Sequence, residues 1–97
     1  MTIYKIVPVE LWREAEAAGE FRGSPVDVRD GFIHFSTGPQ VQETADKHFA
    51  GQTGLLLVAV DGDLLELTWE PSRGGDLFPH LYGFLPLTAV QSVQFFQ

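Results

Sequence analysis

The sequence contains no cysteine. This absence excludes a disulfide framework, a thiolate nucleophile and a zinc or iron–sulfur site with cysteine ligands. Basic residues are scarce too: Lys and Arg number 6 against 13 Asp and Glu, so the formal net charge is −7 and the pI is about 4.6. A surface this acidic repels phosphate backbones. We therefore expect neither nucleic acid nor an anionic membrane as a partner.

Long apolar segments are also missing. The longest run covers residues 55–60, far short of the roughly 20 residues that span a bilayer. The first residues show no basic stretch followed by an apolar stretch, as a secretory signal peptide has. We expect a cytoplasmic protein.

The apolar content that is present suits one folded domain over residues 1–97, because 44% of the residues are hydrophobic and the mean hydropathy is +0.03. Strand-like runs alternate with two helical patterns, which predicts the α+β class. We expect helices over 9–18 and 38–50 and a loop over 20–31. Strands are predicted over 3–7, 32–36, 55–60, 64–69 and 91–96, and the third and fourth of these should form a hairpin through Asp61-Gly62-Asp63. The residues predicted to be largely buried are Phe32, Phe49, Leu56, Val58, Leu67 and Phe78.

The motif DGFIHFST combines a strand with the start of a helix. The two-residue period of a strand places His34 and Ser36 on one face with Phe32. Thr37 and Gln40 have the spacing of a capping box. A strand that carries His and Ser into a helix N-terminus is suited to bind an anion or a ribose. The alternative interpretation is that Thr37 only caps the helix and His34 is a hydrogen-bonded core residue.

The motif WEPSRGG places Glu70 at a strand end before a loop. A carboxylate in this position can act as a general base or stabilise developing positive charge. Arg73 can bind a phosphate or carboxylate with two parallel hydrogen bonds. An ordinary surface ion pair between Glu70 and Arg73 is the alternative.

The motif FPHLYG surrounds His80 with apolar residues. His80 is either a ligand-binding residue or a buried histidine that is hydrogen-bonded within the core. Tyr82, and Trp69 in the preceding motif, offer aromatic faces for a planar ring. The three histidines have no short ligand spacing, so we expect no metal site.

Four segments, IYK, DGFIHFST, QETADKHFAGQ and WEPSRGGDLFPHLYG, together resemble a small bacterial domain-of-unknown-function family, number 952. The resemblance covers essentially the whole chain. This family is similar in fold to the ADP-ribosyltransferases, which implies a split, mainly antiparallel sheet that holds a nicotinamide dinucleotide. The resemblance assigns the role of the first-strand basic residue to Lys5, that of the Ser/Thr motif to Ser36 and Thr37, and that of the catalytic Glu on a later strand to Glu70. It implies NAD as the dinucleotide.

Our hypothesis from the sequence is a domain with a pocket for a nucleotide-like anion, with ADP-ribosyltransferase or glycohydrolase chemistry if it is an enzyme. Glu70 is the expected catalytic residue. The expected ligand-binding residues are Lys5, His34, Ser36, Thr37, Trp69, Arg73, His80 and Tyr82. The alternative is a non-catalytic protein-interaction module that uses FPHLYG and the terminal FF as its surface. The sequence does not decide whether the chain is an enzyme, and it gives no oligomeric state.

Overall fold

The computed structural model describes residues 1–97, apart from the side chain of Arg73. Along the described backbone the strands are β1 (Thr2–Pro8), β2 (Glu20–Phe21), β3 (Ile33–His34), β4 (Leu55–Asp61), β5 (Leu67–Pro71), β6 (Leu77–Leu81), β7 (Leu85–Pro86) and β8 (Val90–Phe95). The α-helices are α1 (Val9–Ala18), α2 (Pro25–Asp30) and α3 (Val41–His48). Short 3₁₀ turns cover Gly38–Gln40, Gly62–Leu64, Arg73–Gly75 and Leu87–Ala89. The protein is a small α+β domain.

Two antiparallel sheets of three strands each form the body of the domain, in the orders β1-β4-β8 and β3-β6-β5, and β2 pairs with β7 beside them. An isolated bridge between Tyr4 and Ser36 connects the two larger sheets. The two residues exchange backbone hydrogen bonds of 2.8 Å in each direction. The sheet is therefore split, and the two halves part from this bridge onward.

The larger core cluster lies under α1 and between the sheets, and its most deeply buried members include Ile3, Trp12, Phe35, Val58 and Leu85. Strand β4 is buried along most of its length, as its apolar sequence predicts. A smaller cluster of Ile6, Ala45 and Leu55 lies on the other face of β1 and β4, against α3. Both faces of this sheet are thus covered.

Helix α1 has the predicted bounds, and Gly19 ends it in the left-handed conformation at φ 83°. The helical spacing of Leu11, Ala15 and Ala18 predicts that these three residues form the buried face, but Trp12 and Ala15 are the buried residues, Leu11 is partly buried and Ala18 is exposed. Of the six residues predicted to be buried, Leu56, Val58 and Phe78 are buried, whereas Phe32, Phe49 and Leu67 are only partly buried.

The predicted loop over 20–31 is wrong, because it contains β2 and α2. Ser24 and Asp27 form a capping box at the start of α2, and Pro25 occupies the first helical turn. Proline is tolerated there because its missing N–H would have no intrahelical partner. Pro25 therefore lies at the start of α2 and does not mark a loop. The domain has three α-helices along the described chain, not the predicted two.

The predicted hairpin between residues 55–60 and 64–69 is also wrong. Strand β4 pairs with β1 on one side and β8 on the other, so both of its edges are taken. The turn at Gly62 is held against the chain start by a 2.8 Å hydrogen bond from its N–H to the carbonyl oxygen of Met1. The chain then crosses to the other sheet, where β5 pairs with β6.

Candidate functional site

A cleft of about 560 Å³ opens beside the outer edge of β1, where the two sheets separate. Its polar lining includes Lys5, Arg29, Asp30, His34, Ser36 and His80. Its apolar wall includes Pro8, Leu11, Phe35, Phe49 and Phe78. The volume is within the range of ligand pockets, about 300–1,000 Å³.

The register of the smaller sheet brings two histidines together in this cleft. His34 of β3 is directly opposite His80 of β6, and their ring centroids are 5.3 Å apart. The neighbouring residues Ile33 and Leu81 form the next pair of the register and are buried in the core. Because successive strand residues face opposite sides, one side of this sheet serves the core and the other carries the histidines.

A buried carboxylate, that of Asp27 in α2, holds His34 in place. Its Oδ1 atom accepts hydrogen bonds from Nδ1 of His34 at 2.7 Å and from the His34 backbone N–H at 3.2 Å. Its Oδ2 atom accepts from the backbone N–H and hydroxyl of Ser24 at 2.8 and 2.9 Å. Lys5 Nζ lies 3.0 Å from each carboxylate oxygen. Asp27 is only 2% exposed, so one buried carboxylate joins β1, α2 and β3.

The environment of Asp27 acts on its pKa in two opposing ways. Burial alone raises this pKa, but the hydrogen bond from His34, the charge of Lys5 and the Ser24 backbone N–H together outweigh it. The pKa of Asp27 is therefore held well below its usual range. Burial lowers the pKa of Lys5, and the nearby Asp27 carboxylate opposes that effect. Both observations indicate a paired buried charge and not a free cation available to a ligand.

A second carboxylate holds His80. Oε1 of Glu70 in β5 accepts a hydrogen bond from Nδ1 of His80 at 2.8 Å and another from the Tyr82 hydroxyl at 2.7 Å. The hydrogen bonds from His80 and Tyr82 lower the pKa of Glu70. The hydrogen bond to Glu70 raises the pKa of Tyr82. Glu70 thus lies behind His80 and does not line the cleft.

The ring of Phe32 supports both histidines. Its centroid lies 4.1 Å from that of His80 in a stacked arrangement and 4.5 Å from that of His34. The two imidazoles are thus fixed by a carboxylate at Nδ1 and by an aromatic ring against their sides.

Four of the residues predicted to bind a ligand line the cleft: Lys5, His34, Ser36 and His80. The Ser36 hydroxyl lies 3.0 Å from that of Thr44. Segments 32–37 and 78–83 thus both contribute to the lining of the cleft, and segment 69–75 contributes Ser72 to the described lining.

The other predicted site residues whose side chains are described do not line the cleft. Thr37 forms the capping box with Gln40, whose side-chain oxygen accepts from the Thr37 N–H at 3.0 Å. Trp69 pairs with Pro79 in the register and so lies on the sheet face opposite to Glu70 and His80. Tyr82 is exposed and bonded to Glu70. The prediction for Arg73 lies outside the described residues, because its side chain is not described.

Three residues of the site were missed by reasoning from the sequence, namely Asp27, Arg29 and Asp30. The signal that was available is the Ser24-Pro25-x-Asp27 pattern, which has the spacing of a capping box and a proline at the first helical position. That pattern predicts a helix start. It does not reveal that the capping carboxylate also binds Lys5 and His34, since those contacts depend on the packing of three elements.

Among the described residues, no group of three or more His, Asp or Glu side chains is arranged to hold a metal ion. Within the same described part of the chain, every helix is too short or too polar to cross a membrane.

The chain is similar to proteins of one family. The model of the family described as Protein of unknown function (DUF952) matches residues 6–93. The crystal structure of protein CC0527 from Caulobacter crescentus is 48% identical, with a TM-score of 0.96 over 100% of this chain and 87% of that chain. Its solution NMR structure is 50% identical, with a TM-score of 0.82 over 95% of this chain and 81% of that chain. No curated protein matches the chain. The chain belongs to the DUF952 family.

Proposed function

We propose that this member of the DUF952 family binds a small anionic ligand with a planar ring, of the nucleotide class, in the cleft between its two sheets. One observation carries the proposal. Two histidines converge in the cleft with ring centroids 5.3 Å apart, and each has its Nδ1 bound to a carboxylate, at 2.7 Å for His34 and 2.8 Å for His80. Histidines oriented in this way are typical of functional sites, where a carboxylate fixes the ring orientation.

The charges around the cleft favour an anion. The protein as a whole carries a formal net charge of −7. Among the described residues that line the cleft, however, the carboxylate is that of Asp30, while Arg29 and histidines 34, 48 and 80 supply cationic or protonatable groups; the charge of Lys5 is paired with Asp27. An anionic ligand meets less repulsion here than over most of the surface. The apolar wall places Phe49, which is only partly buried, and Phe78 beside the space that a planar ring would occupy.

NAD is the first candidate ligand, because the resemblance to the ADP-ribosyltransferases implies a split, mainly antiparallel sheet that holds this dinucleotide, and the two larger sheets of this domain are antiparallel and joined by an isolated bridge. This is an analogy of fold, and the residues of the site have to support it separately. The cleft residues fit such a ligand in kind: Arg29 for a phosphate, Ser36 for a hydroxyl and Phe78 for a ring. The proposed reaction class is transfer or hydrolysis at an N-glycosidic bond, which NAD supplies when bound.

In this chemistry His80 is the group that handles a proton. Its Nδ1 donates to Glu70, so in the neutral ring Nε2 is the atom that can accept the proton of an attacking hydroxyl or water. Glu70 then stabilises the imidazolium through Nδ1. Glu70 was expected to stabilise charge on the ligand directly. The observed geometry supports an action of Glu70 through His80 instead.

The proposal is tested by thermal unfolding of the whole chain with NAD, ADP-ribose, AMP and nicotinamide at millimolar concentration. A ligand at one hundred times its Kd adds about 2.7 kcal/mol to the stability, which raises the Tm of a domain of this size by several degrees. His34→Gln should abolish the shift. Glu66→Gln, at an exposed position outside the cleft, is the matched control and should keep it. Wild-type protein that shows no shift with any of these compounds would refute the proposal.

The alternative function is a protein-interaction module, and exposed aromatic side chains favour it. Tyr82 and Phe84 follow β6 with exposed fractions of 55% and 53%, and Phe95 on the edge strand β8 is 78% exposed. Light scattering across a concentration series distinguishes the two functions. The interaction module is supported if the wild type associates as its concentration rises, Phe95→Ser does not, and no ligand of the panel raises the Tm.

A further inference from the structure

The side chain of Asp30 lies in the cleft, next to an imidazole nitrogen and a guanidinium group. Its Oδ2 atom is 3.0 Å from Nε2 of His34, and its Oδ1 atom is 3.2 Å from Nε of Arg29. All three residues line the cleft. The carboxylate of Asp30 therefore occupies the position that an anionic group of a ligand would take between His34 and Arg29.

We propose that His34 Nε2 and the Arg29 guanidinium form the anion-binding subsite of the cleft, and that Asp30 fills this subsite until a phosphate group displaces it. The inference rests on the proposed function, since it identifies the part of the cleft that receives the charged end of the ligand.

The contact of Asp30 with His34 and Arg29 is not explained by a contribution of Asp30 to the stability of α2. Asp30 is the last residue of α2, and the negative end of a helix dipole disfavours an acidic side chain there. The following residue, Gly31, adopts φ 88° and ends the helix. The Asp30 side chain is 33% exposed, so solvent and ligands can reach it.

The receiving groups do not depend on Asp30 for their placement. His34 is anchored on the opposite side of its ring, because Nδ1 donates to the buried Asp27 at 2.7 Å and Phe32 packs against the ring. When Asp30 leaves, Nε2 of His34 keeps its position. Arg29 is 74% exposed and can turn its guanidinium toward an incoming group, where its planar fork binds two phosphate oxygens.

Phosphate is favoured over carboxylate as the displacing group. A phosphate carries more charge and more acceptor oxygens than the side chain that it replaces, and charge-assisted hydrogen bonds between Arg and phosphate are among the strongest in proteins. Asp30 nevertheless competes, because its attachment to the same chain gives it a high effective concentration at the subsite. The apparent affinity of a ligand is its intrinsic affinity multiplied by the fraction of molecules in which the subsite is open.

The test is a titration of the whole chain with inorganic pyrophosphate, followed by backbone amide NMR and calorimetry. Asp30→Asn should tighten binding about fivefold to tenfold relative to wild type, with the largest amide shifts at residues 29–34. Glu66→Gln removes the same charge outside the cleft and should leave the Kd within about twofold of the wild-type value. The double variant Asp30→Asn with His34→Gln should lose the gain.

Three results would overturn the inference. If the wild type, Asp30→Asn and Glu66→Gln all bind pyrophosphate equally at the cleft, the proposed anion-binding function stands. The proposal that Asp30 competes with the phosphate is then wrong. If both charge-removing variants gain equally, the effect is one of net charge alone. If none of them binds pyrophosphate and the nucleotide panel also gives no thermal shift, the proposed function fails together with the subsite.

Discussion

Asp27 and His34 form a 2.7 Å hydrogen bond between Oδ1 and Nδ1 although seven positions separate them in the chain. The bond ties the short helix α2 to the strand that carries the candidate site. Lys5 completes the arrangement from β1, 3.0 Å from the same carboxylate. Because Lys5 and Asp27 are both buried, the pair has to be kept or replaced as a unit.

Replacing Asp27 by Asn should reduce stability by about 3–5 kcal/mol, because the substitution leaves the Lys5 ammonium buried without its counter-charge. Urea denaturation measures this loss. Asp46→Asn is the matched control, since Asp46 is exposed on α3 and accepts a hydrogen bond from Gln42, and it should change stability by less than about 0.5 kcal/mol. Equal midpoints for the two variants would show that the pair is not a stabilising element.

Because the pKa of Asp27 is low in the folded protein, the free energy of unfolding should depend on pH in the acidic range. A carboxyl group whose pKa is lower in the folded than in the unfolded state stabilises the fold above its unfolded pKa, about 3.9. This stability is lost as the pH falls through the folded pKa. We expect the free energy of unfolding to decline below about pH 4, more steeply in the wild type than in Asp27→Asn. Denaturant titrations between pH 7 and pH 2 measure both curves, and parallel curves would contradict the assignment.

Glu70 controls the ionisation of Tyr82. The hydrogen bond to the Glu70 carboxylate raises the pKa of this phenol. Glu70→Gln should therefore lower the pH at which Tyr82 ionises, toward the ordinary value of about 10. Ultraviolet difference titration follows the phenolate, and the variant Tyr82→Phe identifies its signal against that of Tyr4. Glu66→Gln should leave the Tyr82 transition unchanged. If Tyr82 ionises at the same pH in both Glu variants, the hydrogen bond between Tyr82 and Glu70 does not persist in solution.

If the wild-type protein turns over NAD, Glu70→Gln should lower kcat on the order of 10²-fold, because proton transfer by an oriented side chain contributes about 10²–10⁴-fold. KM should change far less, since Glu70 does not line the cleft. Release of nicotinamide measures both constants. A large rise in KM with an unchanged kcat would place Glu70 in ligand binding instead.

Phe49→Ala should destabilise the fold by less than the same substitution does at a fully buried phenylalanine. A fully buried Phe loses about 3–5 kcal/mol when replaced by Ala, but Phe49 is only partly buried where it packs against Ile6, Ala45 and Leu55. We expect about 1–3 kcal/mol for Phe49→Ala and more than that for Leu55→Ala, whose site is 1% exposed. Urea denaturation of both variants measures this order, and the reverse order would contradict the described packing.

Local patterns in the sequence determined several elements directly. Helix α1 follows from its helical periodicity and from Gly19, and the start of the next predicted helix follows from Thr37 and Gln40. The two-residue period of DGFIHFST was sufficient to place His34 and Ser36 on one face, because side-chain alternation is a property of any extended backbone. The mixture of strands and helices likewise indicated the α+β class.

The tertiary structure alone decided which strands pair and which charges meet. The turn after β4 looked like a hairpin, but β1 and β8 occupy both edges of β4, and no local signal reports an edge that is already taken. Asp27 was overlooked because its capping pattern is local whereas its contacts to Lys5 and His34 come from other elements. Trp69 and Glu70 are neighbours in sequence, yet the pairing of β5 with β6 turns Glu70 toward His80 and Trp69 to the other face. Contacts between distant segments depend on the packing of the whole chain, and the spacing of residues in one segment does not contain them.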